Sequence, residues 1–137
     1  MKKWSDKFII GLTGNIGTGK SVVRRMLEHL GAYGIDADAL AHRAIAPGAP
    51  AYDEVVKTFG TFYLQPDGQI DRTRLGRLMF NDPEALARQE AIIHPLVNQA
   101  LDLLIRRASQ KVIVIEAIKL IEARISNECD SLWVVYA

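Results

Sequence analysis

The chain has 137 residues, 49% of them hydrophobic, enough apolar matter to bury the core of one domain and too much for a disordered chain. With 17 basic against 16 acidic residues the formal charge is only +1, so no global field draws in nucleic acid or an anionic membrane, and any anion has to be held by a local site. A single cysteine, Cys129, leaves no internal disulfide, and neither a signal peptide nor an apolar run long enough to span a bilayer is present; the expectation is a soluble, cytoplasmic protein.

Residues 1–7 are polar and read as a short tail to which no chemistry is assigned. Phe8-Ile-Ile-Gly-Leu-Thr13 is an apolar run bounded by Gly14, as expected of a strand buried on both faces. From Lys20 to Leu30 the residues Val22, Val23, Met26, Leu27 and Leu30 fall at helical spacing, with Gly31 as a stop. Tyr33 to Asp36 supplies a second short strand, Ala37 to Ala46 a helix, and Pro47-Gly-Ala-Pro50 a break. Tyr52 to Phe59 reads as a helix, Tyr63 to Gly68 as a turn-rich loop, and Asp71 to Phe80 as a helix capped by Asp71. Asp82 caps a longer helix with Pro83 at its first position, and His94-Pro95 is expected to kink or break it. Lys111 to Glu116 and Ser131 to Tyr136 complete a set of four apolar strands. Strands alternating with helices predict an α/β fold: a parallel sheet with helices on both faces, its core made of residues 8–36 and 109–137 and interrupted by a helical insertion at about 37–108.

Gly14-Asn-Ile-Gly-Thr-Gly-Lys20-Ser21 fits G-x-x-x-x-G-K-[ST] and stands between a predicted strand and a predicted helix, the context in which that pattern binds phosphate. Backbone N–H groups of Asn15, Ile16, Gly17, Thr18, Gly19, Lys20, Ser21 and Val22 would face a polyphosphate at the positive end of the helix dipole. Lys20 would reach the β and γ phosphates of ATP, and the Ser21 hydroxyl would be a ligand of Mg²⁺.

With the loop in place, the sequence resembles dephospho-coenzyme A kinase over essentially its whole length. The resemblance rests on Gly11 to Ser21, Ile35-Asp-Ala-Asp38 followed by Ala41-His42 and Pro47-Gly48, Phe59-Gly60, Ile70-Asp-Arg72 with Leu75-Gly76, and Ile93-His-Pro95. It implies a three-layer P-loop NTPase fold and transfer of the ATP γ-phosphoryl group to the ribose 3′-hydroxyl of dephospho-coenzyme A, the last step in making the coenzyme. Asp36, at the carboxyl end of the second strand, is then the candidate catalytic base, its other role being a helix cap, for which Asp38 is the better placed. Arg72, Leu75, His94 and Pro95 match family positions associated with the acceptor, and an arginine suits a substrate carrying a pyrophosphate; a structural histidine and a solvated arginine are the bland alternatives.

Glu116 stands where the family more often has an aspartate, and either holds Mg²⁺ as a Walker B acid does or ends its strand in solvent. Family members also continue beyond the strand that ends here near Tyr136, with a fifth strand and an arginine-bearing lid. The chain therefore reads as truncated, and uncovered apolar surface beside its fourth strand predicts instability or self-association. Two other functions fit the same loop, a regulatory ATP-binding module and another nucleoside or nucleotide kinase.

Overall fold

The computed structural model describes residues 3–15, 17–118 and 125–136; Ile16 of the glycine-rich loop lies outside them. Among the described residues four strands, β1 (Phe8–Thr13), β2 (Tyr33–Asp36), β3 (Val112–Glu116) and β4 (Ser131–Val134), form one parallel sheet in the order β2-β3-β1-β4. Among the described residues five α-helices accompany it: α1 (Lys20–His29), α2 (Ala37–Ala44), α3 (Tyr52–Phe59), α4 (Arg72–Asn81) and α5 (Pro83–Arg107). The chain divides into two compact units, residues 1–38 with 101–137, and residues 39–100.

In the first unit, β1 lies between β3 and β4 and is buried from Ile9 to Thr13, as its unbroken apolar run requires. Val23 and Leu27 of α1 pack against Ile10, Leu12 and Val114. Gly11 has no room for a side chain, because a Cβ there would sit 2.8 Å from Cys129 Sγ. The chain crosses over β3 to reach β2 and back over β1 to reach β4, so the connections leave in opposite directions around the β1–β3 pair. Such a switch point opens a crevice at the carboxyl ends of the strands, where ligands of open α/β sheets bind. On the far side β4 exposes Leu132, Trp133 and Val134, in keeping with the uncovered apolar surface expected beside the fourth strand.

The caps read from the sequence are in place. Asp71 Oδ1 accepts from the Arg74 amide at 3.1 Å, and Asp82 Oδ1 from the amides of Glu84 and Ala85 at 3.0 and 3.3 Å, with Pro83 opening α5. In the second unit the Tyr52 hydroxyl donates to the Gly68 carbonyl and closes the turn-rich loop.

Two local expectations are corrected. α5 runs unbroken through Pro95. Proline in a helix costs about 3 kcal/mol, but Ile93, Val97, Leu101 and Ile105 recur every four residues on this helix and are all buried, and the hydrophobic gain of four such side chains outweighs it. Nor are the described residues before β1 a solvated tail. Trp4 is buried, and its indole N–H donates to Asp102 Oδ1 at 3.1 Å; this bond first, and then Arg106, hold the Asp102 carboxyl below the usual carboxylate range. Lys7 is buried, and its ammonium donates to the carbonyls of Ala108 and Gln110 at 2.6 and 2.7 Å, just beyond the end of α5, where a cation also meets the negative pole of the helix. No described helix is long and apolar enough to cross a membrane.

Lys7→Met keeps the buried stem but leaves two carbonyls without their charged donor, so it is expected to destabilise the protein by about 2 kcal/mol. In urea unfolding the midpoint should fall with the slope unchanged.

Candidate active site

The turn between β1 and α1 is built on glycines. Gly14 has φ 151° and faces the Val135 carbonyl, so a Cβ there would approach that oxygen to 2.5 Å. Gly19, the residue before α1, has φ 93°, a left-handed conformation that side chains strain to adopt. A Cβ on Gly17 or Gly19 would meet nothing within 4 Å, so the backbone of this stretch borders open space. Thr18 folds the loop back by donating its amide and its hydroxyl to the Asn15 carbonyl, at 3.2 and 2.7 Å. No side chain caps α1, which leaves its first amides available to an anion. Lys20, in the first turn, is only 8% exposed.

Beside the loop stand the carboxylates that end β2 and β3. Asp36 and Glu116 are register partners on neighbouring strands, and Glu116 is in turn the partner of Leu12 on β1, so one row across the sheet ends near the glycine-rich turn. Glu116 is 5% exposed and both its oxygens are engaged. Oε1 accepts from Arg24 Nε at 2.8 Å and Oε2 from the Ser21 hydroxyl at 3.1 Å. Glu116 is therefore a buried member of the loop's own network rather than a solvated strand end.

Asp38 has a different environment from the helix cap expected of it. Its carboxylate accepts from the Ile118 amide at 3.1 Å, just past β3. Burial first, then the charge of Asp36, push its carboxyl up to about 6, against the pull of Lys20, which lowers it. Lys20, Asp36, Asp38 and Glu116 thus form one electrostatic neighbourhood. Sequence reasoning missed Arg24. It stands four residues after Lys20, on the same stripe of α1, and that spacing was the available signal.

The residues expected to hold the acceptor all belong to the second unit. Arg72 opens α4 and is exposed, whereas Leu75 on the same helix is 2% exposed and fills that unit's interior. His94 is buried within α5, and Pro95 beside it is exposed.

The family model of dephospho-CoA kinase matches residues 8–137. The chain belongs to the dephospho-CoA kinase family. A dephospho-CoA kinase of Geobacter metallireducens is 48% identical over 132 residues, covering 94% of this chain and 66% of the relative. One of Moorella thermoacetica is 47% identical over 134 residues, covering 95% and 63%. Among solved structures, that of TT1252 from Thermus thermophilus superposes with a TM-score of 0.78 at 33% identity, over 95% of this chain and 65% of that one. The chain thus spans about two thirds of the length of the curated dephospho-CoA kinases it matches. The parallel sheet, with the glycine-rich turn leading from β1 into α1, is the P-loop fold of this family.

Arg24→Ala strands a buried carboxylate and is expected to cost about 3 kcal/mol, most of it recovered in the double variant Arg24→Ala/Glu116→Gln. A double-mutant cycle in urea measures this coupling, and strict additivity would contradict it. Asp38 offers a second check. Because its carboxyl is raised from 3.8 to about 6 in the folded protein, its contribution to stability is complete below about pH 4 and is lost as pH rises through about 6. Its carboxyl carbon should titrate by NMR with a midpoint near 6, and Asp36→Asn should lower that midpoint.

Proposed function

We propose that the protein transfers the γ-phosphoryl group of ATP to the ribose 3′-hydroxyl of dephospho-CoA, the final step of coenzyme A synthesis. The observation that carries this reading is the pairing of an open, glycine-backed phosphate loop, with Lys20 in its first helical turn, and two carboxylates, Asp36 and Asp38, within its electrostatic reach.

The backbone of residues 14–22 supplies N–H donors to the ATP phosphates, and Lys20 offsets charge on the β and γ groups. In the reaction the 3′-oxygen attacks the γ-phosphorus, the bond to the bridging oxygen breaks, ADP leaves, and the hydroxyl proton passes to a carboxylate. Asp38 takes it up with Asp36 beside it, since burial and the neighbouring Asp36 charge raise its affinity for a proton. A base that ionises near 6 is charged at neutral pH and still basic enough to accept a proton as the hydroxyl reacts.

The residues beside Lys20 fit Mg²⁺ as an oxygen site, with the Ser21 hydroxyl and the Glu116 carboxylate side by side. Phosphate oxygens of the nucleotide would complete such a site, the usual arrangement for Mg²⁺. Bound there, the cation would neutralise charge developing on the transferred group. Arg72, Leu75, His94 and Pro95 are assigned to the acceptor.

With MgATP and dephospho-CoA, Asp36→Asn and Asp38→Asn are each expected to lower turnover by about 10²- to 10⁴-fold, the usual share of a general base. ATP affinity in calorimetry should be unaltered. Lys20→Ala should reduce both turnover and ATP binding. The rise of turnover with pH should have its midpoint near 6 and flatten in Asp38→Asn. Equal rates on nucleoside monophosphates and dephospho-CoA would refute the acceptor assignment, and full turnover in the Asp36→Asn/Asp38→Asn double variant would refute the base.

A further inference from the structure

Arg24 has no part in the phosphoryl-transfer chemistry set out above, yet the structure holds it from two sides. Its Nε donates to Glu116 Oε1 at 2.8 Å, and its Nη1 stands 3.7 Å from Glu28 Oε2, one turn further along α1. Glu28 is seated in turn against β2. A Cβ on Gly34 would come within 2.5 Å of Glu28 Oε2, so the bare backbone of that strand is what leaves room for the carboxylate. The guanidinium is thereby braced between the end of β3 and its own helix, with its side chain 19% exposed.

What the brace fixes is Glu116. A glutamate side chain turns about three bonds, and an unheld carboxylate spreads over several rotamers. With Oε1 on the guanidinium, Oε2 is aimed at the Ser21 hydroxyl, 3.1 Å away. An ionised carboxylate only accepts, so in this contact the Ser21 proton is committed to Glu116 and the lone pairs of the serine oxygen are left for a cation. Without that acceptor the hydroxyl would rotate and offer a cation its proton as readily as a lone pair.

We infer that Arg24 is a positioning residue for the nucleotide's Mg²⁺: by holding one oxygen of Glu116 it sets the Glu116–Ser21 contact that presents the serine oxygen to the metal. The inference rests on the kinase reading for the identity of the nucleotide, and it assigns Arg24 no contact with nucleotide or metal. Its whole effect passes through Glu116.

The test measures ATP affinity of the whole chain by calorimetry, without acceptor, once with Mg²⁺ and once with a chelator; the ratio of the two is the metal's share. Arg24→Met removes the guanidinium and keeps the stem. It should weaken ATP binding with Mg²⁺ by about tenfold or more, as expected for loss of a charge-assisted bond, and leave binding in the chelator unchanged. Arg24→Lys, which returns a cation to the same stem, should restore most of the ratio. Arg25→Met, at the exposed neighbour on α1, should not move it. Adding Arg24→Met to Glu116→Gln should lower the ratio no further than Glu116→Gln does alone, because Arg24 then has nothing left to position. That pair strands no charge, so it decides the matter even where the single Arg24 variant folds poorly. A ratio unchanged in Arg24→Met, an equal loss with and without metal, an equal loss in Arg25→Met, or a further loss in the pair overturns the assignment. In turnover, Arg24→Met should raise KM for MgATP; dephospho-CoA phosphorylated with that KM unchanged overturns the role of Arg24 while the kinase reading stands. Conversely, the expected ratios in a chain that does not phosphorylate dephospho-CoA leave Arg24 its role and remove the kinase reading.

Discussion

A carboxylate buried at the end of a central strand has to be answered by positive charge, and in this protein the ion pair of Glu116 with Arg24 answers it. Removing an isolated carboxylate from water costs several kcal/mol, which only a close, hydrogen-bonded cation offsets. At 2.8 Å the Arg24 guanidinium meets that need, and the Ser21 hydroxyl takes the second oxygen. α1 is thereby fastened to the end of β3 at the same level as the turn that leads out of β1. The orientation of the first helical turn, and with it the position of Lys20, follows from this one contact as much as from the apolar seam of Val23 and Leu27 on the sheet.

The same neighbourhood divides labour among three carboxylates by environment. Glu116 is paired with the Arg24 guanidinium, whereas Asp38 is half-buried, held by one backbone amide and crowded by Asp36. Its proton affinity rises for that reason. One carboxylate fixes geometry and another stays poised to titrate, and the distinction comes from what each side chain touches rather than from its residue type.

What could be read from the sequence was local. The glycine-rich turn, the caps at Asp71 and Asp82 and the four strands each follow from a few adjacent residues, and each appears where its neighbours demand it. The misjudged features join residues far apart in the chain. Arg24 and Ser21 reach Glu116 across more than ninety positions, Asp38 reaches Ile118, and Trp4 and Lys7 reach the end of α5. Pro95 belongs with these, since only the burial of residues on the same face of α5 decides whether a proline breaks a helix. Helical periodicity put Arg24 in line with Lys20, but nothing near it in sequence named its partner.

The order of strands in the sheet also sets a schedule for the protein's birth. Both neighbours of β1 come from Val112 onward, so while the chain is being made β1 and its glycine-rich turn have no sheet to join until the whole middle of the protein has left the ribosome. The entropy of closing so long a loop grows only slowly with length, by about 0.6 kcal/mol for each doubling. The intervening helices can therefore lengthen or shrink at little thermodynamic penalty, whereas the time for which β1 waits as a bare apolar segment grows with every residue added to them.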